Sequence, residues 1–345
     1  MFKAAFPVFD TIGARLARPA LRACGALAAA AAFALPMGAH AQDKVRVRMD
    51  WTTLGYHAPF YYGVAKGIYA RHGLDVQVDE GKGSASVAQL AAAGSDDFGF
   101  ADATTVAQLA GRGLPAKVVM GVLRATTVAL FYADGRGIKT PADMRGRSVS
   151  LCPSDAISVY QPAYFKSLGI APGDVKNLSV DCSIKYAVVA QGKADAVMTY
   201  ATAGKPLLQK VGIANPGLFR AGPDFYLPSH GIVAADSLIK AKPDLIRRFV
   251  AATAQAWTEA MKDPDGAVAA TVAARPLLKG QEQTLKDTFV AALDYVDTPA
   301  TKGKPFGWQS PDDWQKALGI LREYAGLNKD LKPEAVYTND FIAAP

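Results

Sequence analysis

The stretch Asp50–Tyr69, DWTTLGYHAPFYYGVAKGIY, decides how the chain is read, because an apolar strand there feeds an aromatic loop and then a helix. Val45, Val47 and Met49 alternate with basic residues, and Asp50 and Trp51 end the alternation. Ligands of open α/β sheets collect at that carboxyl edge. Tyr56 and His57 follow within six residues, and Pro59 sits where a first helical turn accepts it. A flat polar or aromatic ligand can stack on such a loop, with Asp50, Trp51, Tyr56, His57 and Tyr61 as candidate binding residues. The same aromatics also suit a plain core.

The segments on either side set the compartment and the size. The chain has 345 residues, 50% hydrophobic and 20% charged, which fits a globular protein of two lobes and excludes a disordered or fibrous one. Lys3, Arg15, Arg18 and Arg22 precede an apolar run from Ala23 to Leu35, followed by Ala39-His40-Ala41. That is the pattern of a secretory signal peptide over residues 1–41, so the exported protein is expected to begin near Gln42 in the periplasm. The run is too short for a retained membrane span, and nothing later reaches about 18 uninterrupted apolar residues. Without residues 1–41 the chain keeps 34 basic and 30 acidic residues, a net charge of +4. Those charges are scattered, which argues against nucleic-acid binding.

Of three cysteines, Cys24 lies at the very start of the apolar run, just behind Arg22, where a lipid-anchor cysteine would not be. Cys152 and Cys182 remain, each following a strand, SVSL and NLSVD. If those strands are parallel neighbours, their ends lie about 5 Å apart, within disulfide reach. A disulfide in an oxidising compartment and two buried thiols are both compatible with this pattern. No spacing of His and Cys matches a zinc site, and no metal or cofactor is expected.

Downstream, strand, turn and helix recur. Leu74–Val78 is read as a strand, then GKGSASVAQLAAAG as a Gly-rich turn opening a helix, where Ser84 and Ser86 could meet a polar ligand group or simply cap the helix. The turn lacks the third glycine of a dinucleotide fingerprint. Phe98–Ala101 and Asp102-Ala103-Thr104-Thr105 repeat the unit, with Asp102 an N-cap and candidate binding residue and Thr104 and Thr105 candidate cleft residues. The alternation argues for a parallel, doubly wound sheet. It restarts after Val128–Tyr132: Ser148–Leu151 is a strand, Ser154 and Asp155 open a helix at the cleft edge as caps or as ligand-binding residues, and Lys193–Tyr200 brings Tyr200, a candidate binding residue or a core tyrosine, to a strand end. Asp224–Val233, DFYLPSHGIV, is read as a second crossing between lobes, with His230 a candidate cleft or hinge residue. The lobes are accordingly placed at 42–124 with 231–345, and at 125–230. Helices Pro243–Lys262 and Pro311–Tyr324 are read as architecture, Trp257 as packing, and Ser310 as a cap.

Asp50, Trp51 and Thr52, followed by His57, Phe60, Tyr61 and Lys66-Gly67-Ile68-Tyr69, resemble the opening motif of one branch of periplasmic solute-binding proteins. That branch joins bacterial pyrimidine-precursor binders to the fungal thiamine-pyrimidine synthases and is related to nitrate, sulfonate and taurine binders. Thr140–Arg147 resembles its P-x-D-L-x-G-K turn, Gly169–Val175 its G-I-x-P-x-D-V connector, and Lys193–Val197 its x-x-D-A-x strand. The resemblance implies a type II-like, two-lobe α/β fold with two hinge crossings, closing on a small ligand. It also implies a monomer that delivers the ligand to an ABC permease and its ATPase, with pyrimidine stacked on Trp51 near His57. The family's W-T-P-N-x-N-H reads here Trp51-Thr52-Thr53-Leu54-Gly55-Tyr56-His57, losing the proline and both asparagines, which favours a more apolar ring. Aromatic acids, sulfonates, nitrate and flavin-like ligands stay open, as does a sensing role. The fungal synthases carry a cysteine-rich motif roughly where DFYLPSHGIV stands, and this chain has no cysteine there. With no G-x-S-x-G and no H-E-x-x-H either, a binding protein rather than an enzyme is expected.

Overall fold

The computed structural model describes residues 41–343 except Ser154, Ala156, Pro172 and Pro223. The signal-peptide reading, Ala41 apart, and the candidate Ser154 lie outside the described residues.

Ten strands form two five-stranded sheets among the described residues. In the first, β1 (Asp43–Arg48) lies between β2 (Leu74–Asp79) and β3 (Phe98–Asp102), parallel to both, and β10 (His230–Ala235) separates β3 from β4 (Ala116–Gly121). In the second, β6 (Ser148–Leu151) lies between β7 (Lys176–Ser179) and β8 (Ala196–Tyr200), again parallel, while β5 (Val128–Tyr132) separates β8 from β9 (Gly217–Arg220). The chain leaves the first sheet after Gly121 and returns at His230.

The sheets are mixed, not parallel throughout as the alternation suggested. β10 is antiparallel to β3 and β4, and β5 is antiparallel to β8 and β9. The reason is the crossings. β5 and β10 each enter their sheet at the edge where β8 and β3 end, pairing Val128 with Tyr200 and His230 with Asp102. A strand that starts at a carboxyl edge must run back against its neighbours. Three further elements were not foreseen: β9, the helix Asp236–Ala241, and the helix Ala201–Lys210 with Pro206 inside it.

The first lobe's core is aromatic. Phe98 and Phe249 stack at 4.0 Å between ring centroids, and Tyr69 stacks on the far face of Phe249 at 5.7 Å. Trp257, fully buried, meets Phe60 and Phe289 edge-on, so it is packing. Ser310 caps the helix Pro311–Tyr324, its Oγ accepting the Asp313 N–H at 3.2 Å. Ser310→Ala is expected to cost about 1 kcal/mol in urea unfolding, and no loss would remove the cap from the list of stabilising contacts.

Candidate functional site

A cleft of about 600 Å3 opens at the carboxyl edges of both sheets. Six of the strands deliver residues to it at or just after their carboxyl ends. Asp50, Trp51 and Tyr56 follow β1, Ser84 and Ser86 follow β2, and Thr105 follows β3; Asp155 follows β6, Lys185 and Tyr186 follow β7, and Tyr200 ends β8. Trp51 is 44% exposed, a large indole left in water at the cleft wall. Burying an indole face against a ring is what such exposure is available for.

Asp50 is the polar centre of the wall from the first lobe, only 8% exposed. Its Oδ1 meets His57 Nε2 at 2.7 Å, and its Oδ2 meets His230 Nε2 at 3.1 Å and the Tyr56 hydroxyl at 3.3 Å. The backbone N–H of Leu54 donates to His57 Nδ1 at 3.0 Å, so that nitrogen is unprotonated and Nε2 carries the proton donated to Asp50. Burial pushes the Asp50 carboxyl upward, but the charge on His230 and bonds from both imidazoles outweigh it and hold the group well below its ordinary range. Burial lowers His230, yet Asp50 and Asp102 raise it on balance. Burial and the Asp50 charge push the Tyr56 phenol far up, and burial with the nearby carboxylates does the same to Tyr200.

His230 Nδ1 lies 2.8 Å from Ser229 Oγ, which lies 2.7 Å from Thr127 Oγ1. Thr127 and Ser229 sit on the outgoing and returning crossings, so one hydrogen-bond chain ties both crossings to Asp50. Ser229, His230 and Asp50 stand in the order of a hydrolase triad, but Ser229 is 2% exposed, its hydroxyl is engaged by Thr127, and it does not line the cleft. The arrangement ties the two crossings together rather than presenting a nucleophile to the cleft.

The structure brings Asp50, Trp51, Tyr56, Ser84, Ser86, Asp155 and Tyr200 to the cleft wall. His57 and His230 stand behind Asp50. Asp102 caps the helix Ala103–Ala110, accepting from Thr105 N–H at 2.8 Å and Thr104 Oγ1 at 2.5 Å, while burial raises its carboxyl. Tyr61 is turned away to Thr53 Oγ1 at 3.1 Å. Thr53 N–H in turn donates to Glu80 at 2.8 Å, a bond that a proline at this position could not make. The Ser84 hydroxyl accepts the Asp102 N–H at 3.0 Å.

Thr105, read from the sequence as a candidate cleft residue, lines the wall as well, whereas Lys82, Gln108, Arg112, Lys185 and Tyr186 also line it and escaped the sequence reading. Gln108 and Arg112 follow Thr105 in steps of three and four residues along and just past one helix, a stripe that could have been found by extending Thr105. Lys185 carries no such signal. It is buried, paired with Asp155, and lies over the Tyr186 ring at 5.3 Å. Burial lowers the ammonium, but Tyr186 and Asp155 more than restore it. Cys152 and Cys182 are joined in a disulfide with Cα atoms 5.0 Å apart, which commits both sulfurs near Asp155.

Residues 55–267 match the model of the family described as NMT1/THI5 like. The chain belongs to that family. This NMT1/THI5-like chain is 23% identical to a riboflavin-binding protein of Chloroflexus aurantiacus, over 93% of this chain and 94% of that one. It is 22% identical to a formylaminopyrimidine-binding protein of Halalkalibacterium halodurans, over 87% and 91%. The periplasmic aliphatic sulphonate-binding protein of Escherichia coli superposes with a TM-score of 0.64 at 14% identity, covering 85% of this chain and 91% of that one. The NMT1/THI5-like chain therefore has the bilobal fold of periplasmic binding proteins. No helix among the described residues is long and apolar enough to cross a membrane.

Proposed function

We propose that this chain is the solute-binding component of an ABC importer, exported by the segment 1–41 to the periplasm. It captures a small heteroaromatic ligand, related to thiamine-pyrimidine precursors or flavins, between lobes 42–124 with 231–345 and 125–230, and delivers it as a monomer to a membrane permease and its ATPase. The observation that carries this is Trp51, an exposed indole beside Tyr56 in a cleft built from the carboxyl edges of both sheets. The ligands for which the riboflavin- and formylaminopyrimidine-binding relatives are named, both flat heterocycles, support the same reading. Catalysis is not part of this reading, which is supported by the triad-like set Ser229, His230 and Asp50 keeping its serine buried and off the cleft wall.

A thermal-shift screen against pyrimidines, flavins, aromatic carboxylates, sulfonates and nitrate tests the assignment. A ligand at 100 times its dissociation constant adds about 2.7 kcal/mol. A hit among pyrimidines or flavins is expected. Lys82 and Arg112, exposed basic groups of the wall, favour a second reading as a binder of aromatic acids or sulfonates, which hits only in those classes would select. Trp51→Ala is expected to weaken binding by about 1 to 3 kcal/mol in titration calorimetry while the melting curve of the free protein stays unchanged. Undiminished affinity would take Trp51 out of the site.

A further inference from the structure

The loops after β6 and β7 are cross-linked twice, and the two links are in register. Cys152 bonds Cys182, and three residues further along each loop Asp155 pairs with Lys185. The Asp155 N–H donates to the Cys152 carbonyl at 3.0 Å, so a single turn fixes the carboxylate relative to the disulfide. Asp155, Cys182 and Lys185 all line the cleft, across from the wall that carries Trp51. On the lobe side, Tyr186 meets Thr199 of β8 at 2.7 Å and seats the Lys185 loop against the sheet. Buried ion pairs contribute little net stability once desolvation is counted. A pair placed in a ligand-facing wall and clamped by a covalent bond is better suited to recognition than to stability.

The Lys185 ammonium spends two of its three protons on Asp155 and Tyr186, which leaves one donor, and the Asp155 carboxylate, with four lone-pair sites, keeps acceptor capacity beyond the bond to Lys185. Side by side, they offer a ligand one donor and one acceptor. A carbonyl receives from Lys185, and an adjacent N–H gives to Asp155. We propose that the Asp155–Lys185 pair, held by the Cys152–Cys182 disulfide, is the polar selector of the cleft and takes a ring edge in which a carbonyl stands beside an N–H, as in cyclic amides and imides. This rests on the reading of the cleft as a heteroaromatic binding site. It makes selectivity depend on the oxidation state of the disulfide.

Riboflavin, whose ring carries an imide N–H between two carbonyls, and its N3-methyl derivative are a matched probe pair, titrated by fluorescence into the oxidised protein. Riboflavin is expected to bind about tenfold more tightly, the worth of one hydrogen bond to a charged group. Lys185→Met is expected to weaken both probes about equally, and Asp155→Ala to bring them to within about twofold of each other, through loss of riboflavin affinity. Reduction of the wild type with a phosphine is expected to do the same, with a cooperative melting curve showing that the fold persists. Equal binding of both probes to the oxidised wild type overturns the proposal, as does a preference that survives Asp155→Ala, an affinity untouched by Lys185→Met, or a preference indifferent to reduction. If the oxidised protein binds an aromatic carboxylate or a sulfonate but neither probe, the selector is overturned and the importer reading stands. Failure to bind any of these compounds removes the importer reading first, and the selector with it.

Discussion

Asp50→Ala is expected to cost about 3 to 5 kcal/mol of folding stability in urea unfolding, measured where Asp50 and His230 are both charged. The carboxylate is nearly buried and accepts from His57, His230 and Tyr56, so its removal leaves a buried imidazolium without its counter-charge. The effect has a defined pH window. His230 titrates above its ordinary 6.5 when folded, so its share of the stability is fully present below about pH 6.5 and is lost as pH rises through the folded value. Asp50 titrates below its ordinary 3.8 when folded, so its share is present above about pH 3.8 and is lost as pH falls through the lower folded value. The gap between wild type and Asp50→Ala is therefore widest between those limits and narrows on the alkaline side as His230 loses its proton. Asp50→Asn keeps the shape and removes the charge, and should show the same narrowing from a smaller starting gap. A gap that is flat from pH 4 to pH 9, or under about 1 kcal/mol throughout, would mean that Asp50 and His230 do not act as a pair.

What could be read beforehand followed the range over which the signals act. Val128–Tyr132, Ser148–Leu151 and Pro311–Tyr324 match their strands and helix residue for residue, because a short apolar run between turn signals, or a Ser-Pro-Asp start, is decided within a few residues. The alternation of strands and helices likewise exposed the two-sheet α/β class. The direction of β10 did not show, since it depends on the edge at which a crossing returns, more than 120 residues after β3. The helix Ala201–Lys210 was hidden by Gly204 and Pro206, which read as breakers. A Cβ at position 204 would lie 2.2 Å from the Phe131 ring, so the glycine is there for close packing on β5 and not for a turn. In the cleft, residues directly after strand ends could be found, as Asp50, Trp51 and Tyr200 were. Lys185 could not, because its burial beside Asp155 is made by two loops 30 residues apart. His57 was visible as a motif residue, but its place behind Asp50 is a matter of tertiary geometry.

The second large effect lies in the same Trp51–His57 stretch, at Gly55, the unconstrained position of the family's W-T-P-N-x-N-H pattern. The helix Glu282–Leu293 packs directly on the 3-10 turn Gly55–His57, and the Gly55 N–H donates to Thr288 Oγ1 at 2.8 Å. A Cβ at position 55 would stand 1.8 Å from the Leu285 carbonyl oxygen and 2.4 Å from the Phe289 nitrogen. Those are backbone atoms, so no rotamer change can relieve the contact, and the helix must withdraw from the turn. Overpacking of this kind costs about 3 kcal/mol, and Gly55→Ala is expected to lose about that much in urea unfolding. Because Tyr56 and His57 are the next two residues, the same displacement disturbs the bonds to Asp50, and ligand affinity should fall beyond what the unfolded fraction explains. Thr288→Ala separates the two causes: it removes the acceptor for the Gly55 N–H without pushing the helix, and should cost about 1 to 3 kcal/mol of stability with a smaller change in affinity. Wild-type stability in Gly55→Ala would mean that the turn and the helix are not in contact as described. Wild-type affinity alongside lost stability would mean that Tyr56 and His57 hold their places without the helix behind them.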